Sequence, residues 1–472
     1  MAGQSISTSA YAAKEELVFT VRRQEPELLL PAKLTPRVHL PLSDIDDQEA
    51  LRVQVPIINF YGGSDFQISD RDDPVKVIRE ALSEALVFYY PLAGRLMEGK
   101  GRKLIVDCTG EVGILFIEAD ADITLMQLGI PLQPPFPYLE DLLHDDIVPG
   151  SVDDGGIVGC PLLLIQVTRL TCGGFVMACR FNHTMCDGIG LVQFLTAVGE
   201  LARGRSPPSV QPVWERKLLS ARDPPRVTCI HPEYDELVDA GGGAALEDLV
   251  HRSFFFGSSE MEKLKQLVPS PEQLGRHFTS YDLMTACIWR CRTIALGLEP
   301  NEDVRVLCAV NVRNKYKPPL PTGYYGNAVA CPAALSTAGM LCKEPLGYAL
   351  KLVLEAKEDV TEEYMKSTAD LMVCRGRPSL TGARTFIISD LRWVGLGDVD
   401  FGWGKACYAG VAKSGKAGGI HSLISNFYVS GKNDKDDDGA LLLLSLPLTA
   451  MNVFENQLQR ILKHGHHILS TL

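Results

Sequence analysis

His183-Thr184-Met185-Cys186-Asp187 (HTMCD) sets an imidazole four positions ahead of a carboxylate. Histidine is the side chain whose ordinary pKa leaves a neutral base near pH 7, so the chemistry this pair could do is removal of a proton from a hydroxyl. Asp187 could brace the local turn or pair with a distant arginine. Plainer readings stand beside this one. A single histidine next to a strand is as readily a satisfied core residue, and His-x-x-x-Asp arises by chance. A metal site would want a third ligand, and none lies nearby in the chain. Cys186 offers a thiol beside the imidazole, but catalytic cysteine and histidine are normally brought together from distant segments, which sets a thiol nucleophile aside.

A second motif lies in the other half of the chain, Asp400-Phe401-Gly402-Trp403-Gly404 (DFGWG), followed by Lys405-Ala406. Two glycines around an aromatic allow a tight non-helical loop, and an acid can tie that loop to a cation elsewhere. Nothing in it resembles a nucleophile. It reads as a structural clasp or as a plain glycine-rich turn.

The elements that must position these groups follow from the pattern around them. The apolar run 162–169, the turn Thr171-Cys172-Gly173-Gly174 and the run 175–181 predict a hairpin. A helix follows, with Leu191, Phe194, Leu195, Val198 and Leu201 on one face and an end at Arg203-Gly204. His183 therefore leaves a strand just before a helix. Earlier, Asp73-Pro74 starts a helix carrying Val75, Ile78, Leu82 and Leu86, and Pro91 stops it. Short strands are expected at 101–107 and 113–118. The stretch 205–248, with Ser-Pro-Pro, Asp-Pro-Pro and three consecutive glycines, reads as a surface crossover. Beyond it come a strand at 252–256, a helix at 280–296, a charged loop at 432–439, a core strand at 441–446 and a helix at 448–463. The expectation is a two-domain α/β architecture: 1–204 with HTMCD, the crossover, and 249–472 with DFGWG.

A chain of 472 residues is too long for one ordinary core, which agrees with two domains. With 46% apolar and 22% charged residues, and no apolar run of membrane-spanning length, it reads as globular and soluble. The N-terminus lacks the charge and apolar pattern of a secretory signal, so the cytosol is the default expectation. The end Ser470-Thr471-Leu472, behind Lys463, His464, His466 and His467, offers a peroxisomal address as the alternative. Thirteen unevenly spaced cysteines then read as reduced thiols. A net charge of −12 argues against nucleic acid and anionic membranes as partners. It also means that an anionic ligand needs a local basic patch. The stretch 305–317 carries Arg305, Arg313, Lys315 and Lys317 with no acid among them, and is either such a patch or a solvated loop. No heptad pattern suggests an oligomer, so a monomer is expected.

HxxxD mid-chain followed by DFGWG near the C-terminus is the signature pair of the plant BAHD acyltransferases, and the chain resembles that family over essentially its whole length. The family's Tyr-Phe-Gly-Asn element stands here as Tyr324-Tyr325-Gly326-Asn327. Stretches 19–37, 42–49, 86–96, 160–175, 361–373 and 397–406 are similar to the branch that esterifies benzyl alcohol and fruit alcohols. The resemblance implies a chloramphenicol-acetyltransferase-like fold of two domains, with mixed sheets and a channel between them. It implies acyl-CoA as co-substrate, with benzoyl-CoA and benzyl alcohol favoured, direct transfer without a covalent intermediate, and no resident cofactor or metal. His183 matches the general base. Asp187 matches an acid that pairs with an arginine, for which Arg290 or Arg292 is the candidate. Asp400 joins His183 and Asp187 in the set assigned to the reaction, with Trp403 beside Asp400 in the clasp. Ser389, Asn327 and Trp403 are placed around the substrate and its oxyanion, Ser389 as the hydroxyl facing the reacting carbonyl. Leu391 stands where some relatives carry tryptophan, which puts an indole donor in doubt. Arg313 and Lys315 are the expected contacts of the CoA phosphates. Two alternatives remain: acetyl-CoA or another acyl-CoA with aliphatic alcohols, and a catalytically silent member acting as a binding or scaffold protein.

Overall fold

The structure, a computed structural model, describes residues 17–63, 73–110, 113–136, 138–144, 157–235, 249–380, 384–412, 415–416 and 424–464. The two apolar runs before His183 form an antiparallel hairpin, Leu163–Leu170 with Phe175–Asn182. Gly173 turns the chain at φ +79°, a left-handed conformation that glycine adopts without a Cβ clash. Both strands lie inside a sheet and are covered on both faces, which is why they read as continuous apolar runs and not as alternation.

That sheet runs Val21–Arg23, Ile114–Ala121, Leu163–Leu170, Phe175–Asn182, Gln54–Tyr61, Tyr408–Val411, with Glu27–Leu29 also pairing on Ile114–Ala121. Only Ile114–Ala121 and Leu163–Leu170 run parallel. A second sheet runs Leu249–Phe256, Asp438–Pro447, Ile424–Lys432, Thr385–Asp390, Asp303–Cys308, Ala333–Thr337, and also contains parallel pairs. Both sheets are mixed, as expected of this fold class. One strand crosses the expected division: Tyr408–Val411, just after DFGWG, returns to the first sheet and pairs with Gln54–Tyr61.

Helices cover the sheets where apolar spacing indicates. Pro74–Phe88 starts on Asp73, whose carboxylate accepts from Val75 N at 3.3 Å. Its stripe of Val75, Ile78, Leu82 and Leu86 shares one core with Leu191, Phe194, Leu195 and Val198 of the helix Gly188–Ala202. Burying each of these larger side chains stabilises by about 1.5–3 kcal/mol. The second core is built on Ser280–Leu296, flanked by Leu346–Glu358 and Leu448–His464.

Within the charged stretch 432–439, residues 433–437 form the loop of a hairpin, with Lys432 opposite Asp438 as the last rung. Asn433 Oδ1 accepts from Lys435 N and Asp437 N, both at 2.9 Å, and so closes the turn with its own side chain. The described part of the crossover, 205–235, is mostly exposed and is tied inward at Arg216, His231 and Glu233, which are buried. Among the described residues no helix is long and apolar enough to cross a membrane. The N-terminal stretch 1–16, the three glycines of the crossover and Ser470-Thr471-Leu472 lie outside the described residues.

Candidate active site

The strand Phe175–Asn182 hands the chain directly to His183, whose N–H donates to Val53 O at 2.9 Å. Asn182 then closes a local turn: its Oδ1 accepts from Thr184 N at 3.1 Å and Thr184 Oγ1 at 2.7 Å. Met185 N donates to Asn182 O at 3.0 Å, and the helix begins at Gly188. Among the described residues no carboxylate bonds to the imidazole, and Nδ1 is buried without a well-aligned partner. Removal from water holds the His183 pKa below the usual 6.5, while its own backbone, Asp187, Asn327 and Asp46 pull the other way. His183 is therefore neutral at pH 7. Burial pushes the neighbouring Cys186 thiol far up, so it stays protonated, against a thiolate role.

Asp187 does both things open to it. It caps the helix, accepting from Gly190 N at 2.9 Å, and it forms a two-pronged pair with Arg313, whose Nη1 and Nη2 lie 2.8 and 2.9 Å from Oδ2 and Oδ1. Ala328 N donates to the same carboxylate at 3.0 Å. This corrects two expectations. Arg290 donates to the carbonyls of Cys342 and Glu344, and Arg292 lies over the Phe386 ring, so neither is the partner of Asp187. Arg313, expected on the CoA phosphates, has its guanidinium engaged by Asp187 and by the carbonyls of Gly326 and Tyr324. Lys315 is exposed nearby, whereas Arg305 is buried on the carbonyls of Pro232 and Asp235.

Asn327, expected near the oxyanion, has both amide hydrogens committed elsewhere. Its Nδ2 donates to His183 O at 2.8 Å and to Asp46 Oδ1 at 3.0 Å. It holds the histidine loop instead of meeting the substrate. Asp46 and Arg216 belong to this site although motif and spacing did not reveal them. Arg216 Nη1 donates to Asp46 at 2.8 Å and Nη2 to Met185 O at 2.7 Å. Asp46 lies inside the similar stretch 42–49, which was the only signal for it.

Two glycines let the helix Gly188–Ala202 sit this close to its supports. A Cβ on Gly190 would meet Tyr325 O at 2.0 Å, and one on Gly199 would meet Asp400 O at 2.4 Å. The second contact corrects the placement of Asp400 in the reacting set. Asp400 Oδ1 accepts from Gly402 N at 2.7 Å and Gly404 N at 2.8 Å, and Oδ2 lies 3.5 Å from Arg203 Nη1 at the C-terminal end of that helix. The helix rise from Gly188 to Gly199 separates this clasp from the histidine loop by about 17 Å. Trp403 stacks edge-on against Phe175, at the start of the strand that His183 follows, and so at the far end of that strand from His183. DFGWG is a clasp, as its composition suggests. Ser389, half-buried, is next to last in the strand Thr385–Asp390. The segment after it packs against the start of the helix that follows the histidine loop: a Cβ on Gly188 would lie 3.5 Å from Leu391 Cδ2 and 3.7 Å from Val394 Cγ1. Among the described residues no group of three His, Cys, Asp or Glu is arranged to hold a metal.

The pattern of the Transferase family matches residues 19–461. The chain is 59% identical over 449 residues to a benzyl alcohol O-benzoyltransferase of Nicotiana tabacum, covering 95% of each chain. It is 53% identical to alcohol acyl transferase 2 of Malus domestica, covering 94% of each. Among solved structures, vinorine synthase superposes with TM-score 0.69 at 22% identity, over 94% of this chain and 98% of that one. Fusarium sporotrichioides TRI101, complexed with coenzyme A and T-2, gives 0.66 at 16% identity, over 89% and 97%. The histidine loop on its paired acid, the DFGWG clasp and these likenesses agree: the chain belongs to the BAHD acyltransferases of the Transferase family.

Proposed function

We propose that this acyl-CoA:alcohol O-acyltransferase joins the benzoyl group of benzoyl-CoA to benzyl alcohol, with His183 as the base. The observation that carries the chemistry is a neutral, desolvated imidazole on a loop braced from both sides by buried ion pairs. The substrate pair is supported by the identity to the benzoyltransferases of tobacco and petunia, 59% and 57%.

Donor and acceptor enter a channel between the two halves from opposite faces. His183 takes the hydroxyl proton as the alcohol oxygen bonds to the thioester carbon and the carbonyl pair moves onto oxygen. That oxyanion needs a positioned donor, and the Ser389 hydroxyl or backbone N–H groups are proposed. Collapse of the intermediate breaks the C–S bond, and the leaving thiolate takes the proton back from His183. No covalent enzyme intermediate is required, since the thioester is already activated and positioning with one base is sufficient. Lys315 and Lys317, both exposed, are proposed on the CoA phosphates. The cytosol is the proposed compartment, with peroxisomal import through Ser470-Thr471-Leu472 as the alternative that truncation of those residues would reveal.

The 53% identity to an apple alcohol acyl transferase favours a second reading, transfer of a short acyl group to aliphatic alcohols. A silent scaffold is opposed by the intact His183, Asp187 and Asp400. Release of free CoA thiol from benzoyl-CoA and acetyl-CoA, each offered with benzyl alcohol and hexanol, separates the readings. The benzoyl–benzyl pair is expected to lead in kcat/KM by roughly tenfold or more. A lead for acetyl-CoA with hexanol overturns the substrate assignment, and no release from any pair overturns the activity. Lys315→Gln with Lys317→Gln should raise the acyl-CoA KM and flatten its salt dependence, leaving the alcohol KM unchanged.

A further inference from the structure

The base has no carboxylate behind it to fix its orientation. In a Ser-His-Asp array an acid holds the second ring nitrogen; here the nearby acid, Asp187, faces Arg313, and among the described residues no carboxylate makes a well-aligned bond to Nδ1 of His183. The ring must therefore be aimed through its own backbone. Two carbonyls of the loop are held from outside: His183 O by Asn327 Nδ2 at 2.8 Å, and Met185 O by Arg216 Nη2 at 2.7 Å.

Both donors are oriented by one group. Asp46 Oδ1 accepts from Arg216 Nη1 at 2.8 Å, Asn327 N at 2.9 Å and Asn327 Nδ2 at 3.0 Å. Its Oδ2 accepts from Ser43 N at 3.1 Å and Ser43 Oγ at 2.6 Å. The side chain is fully buried, as is Arg216. An amide could be turned either way in such a site, but turning Asn327 would set its oxygen against a carboxylate and a carbonyl. Asp46 thus dictates that Nδ2 faces His183 O. The guanidinium has as little freedom. It lies 4.3 Å from the Trp214 ring and 4.9 Å from the Tyr325 ring, and a Cβ on Gly326 would come within 2.1 Å of its Nη1.

We infer that Asp46 is a positioning residue for the base, acting on His183 and Met185 through Asn327 and Arg216. The carboxylate joins three segments far apart in sequence: the loop after the first short strands, the crossover and the 324–327 turn. Its negative charge also favours the imidazolium that forms as the proton arrives.

The inference rests on His183 being the base, and the test keeps the two apart. Asp46→Asn, Asn327→Leu and their double variant are compared with wild type and with a His183→Ala control, reading benzoyl-CoA turnover per folded enzyme, with folding followed by circular dichroism. Each single variant is expected to lose roughly 10–100-fold in kcat, the scale of a small misplacement, with the acyl-CoA KM within about twofold. The double variant should lose no more than the worse single, since both act along one path. In Asp46→Asn the acid limb of kcat/KM should move to lower pH, because a negative charge near the imidazole is gone. Asn327→Leu keeps the Asp46–Arg216 pair and so keeps the test alive if the charge variant does not fold. Wild-type kcat per folded Asn327→Leu enzyme, or fully additive losses, overturns the inference. Wild-type turnover by His183→Ala overturns the base assignment and not the geometry of the hub.

Discussion

Two histidines of this chain, His231 and His183, are held in opposite ways. His231, in the crossover, is buried with both ring nitrogens occupied: Nδ1 lies 3.0 Å from Glu233 Oε1 and Nε2 2.9 Å from Ser367 Oγ. Ser367 Oγ already accepts from Thr228 N and Cys229 N, each at 2.9 Å, which fills its two lone pairs. Its proton must therefore go to Nε2, leaving the Nδ1–H to donate to Glu233. That makes His231 neutral with a defined tautomer. Tyr364 adds its hydroxyl to Glu233 at 2.5 Å. The order Ser–His–Glu looks like a nucleophilic array, yet the hydroxyl and both ring nitrogens are bonded, Glu233 Oε2 alone of the cluster lacks a partner among the described residues, and all three side chains are buried out of reach of a substrate. His183 is the opposite case: its backbone is held on all sides while its ring is left without a carboxylate. What separates a base from a strut here is unfilled hydrogen-bonding capacity on a fixed backbone, not residue type or neighbouring acids.

The widest test of that contrast exchanges the two losses. His183→Ala is expected to lower kcat by roughly 10²–10⁴-fold with the melting temperature little changed. His231→Ala should do the reverse, costing about 1.5–3 kcal/mol of stability because the buried Glu233 carboxyl loses a hydrogen-bond donor and keeps only Tyr364, while kcat per folded molecule stays near wild type. Turnover and thermal melting of the two purified variants decide it. A His231 variant that folds normally and fails to turn over would erase the distinction.

Much of this arrangement was legible from local pattern. The hairpin before His183, the helix after it and the cap at Asp73 follow from apolar periodicity and turn chemistry, which act over a few residues. The clasp nature of DFGWG followed from its glycines. The pairings that set the loop did not follow, because they span the chain: Arg313 and Asp187 are 126 residues apart, Arg216 and Asp46 170, Asn327 and Asp46 281. No periodicity reports such a contact. By sequence Arg290 or Arg292 was the candidate and Arg313 was placed on the CoA phosphates, whereas the turn at 324–327 holds Arg313 against Asp187. The buried anchors of the crossover were hidden for a related reason. Its prolines mark a chain without regular structure, and composition does not tell whether such a chain runs over the surface or is tied inward by Arg216 and His231.

The pH profile sharpens the comparison at smaller scale. An ordinary histidine near pKa 6.5 loses about fivefold in neutral fraction between pH 6.5 and 5.5. Desolvation lowers the His183 value, so the acid limb of kcat/KM should lie below pH 6.5 and the enzyme should hold its rate where an exposed imidazole is already charged. The same shift acts on stability with a definite sign. Between the native pKa and 6.5 the unfolded chain binds more protons at this residue, so stability falls as pH falls through that window. An acid limb centred above pH 6.5 would mean that the neighbouring carboxylates outweigh burial.

The smallest expected effect falls on Ser367. Ser367→Ala removes the hydroxyl that Nε2 of His231 accepts from, and strips Thr228 N and Cys229 N of their acceptor. Those groups lie where the crossover meets the helix Glu362–Cys374, so water can reach some of them after local adjustment. The loss should be about 1 kcal/mol, seen in denaturant titration. Kinetic constants should not move, because nothing in this cluster touches the histidine loop: the Arg216 anchor, which does, is bonded to Asp46 and Met185 instead. A fluorophosphonate probe supplies the chemical check. A serine whose lone pairs are filled by two backbone N–H groups and whose proton is held by a buried imidazole has no route to attack phosphorus. The folded protein should remain unlabelled at Ser367. Labelling that disappears in Ser367→Ala would show that the crossover opens far enough to expose a working Ser–His–Glu array, and the strut would then be a second reactive site.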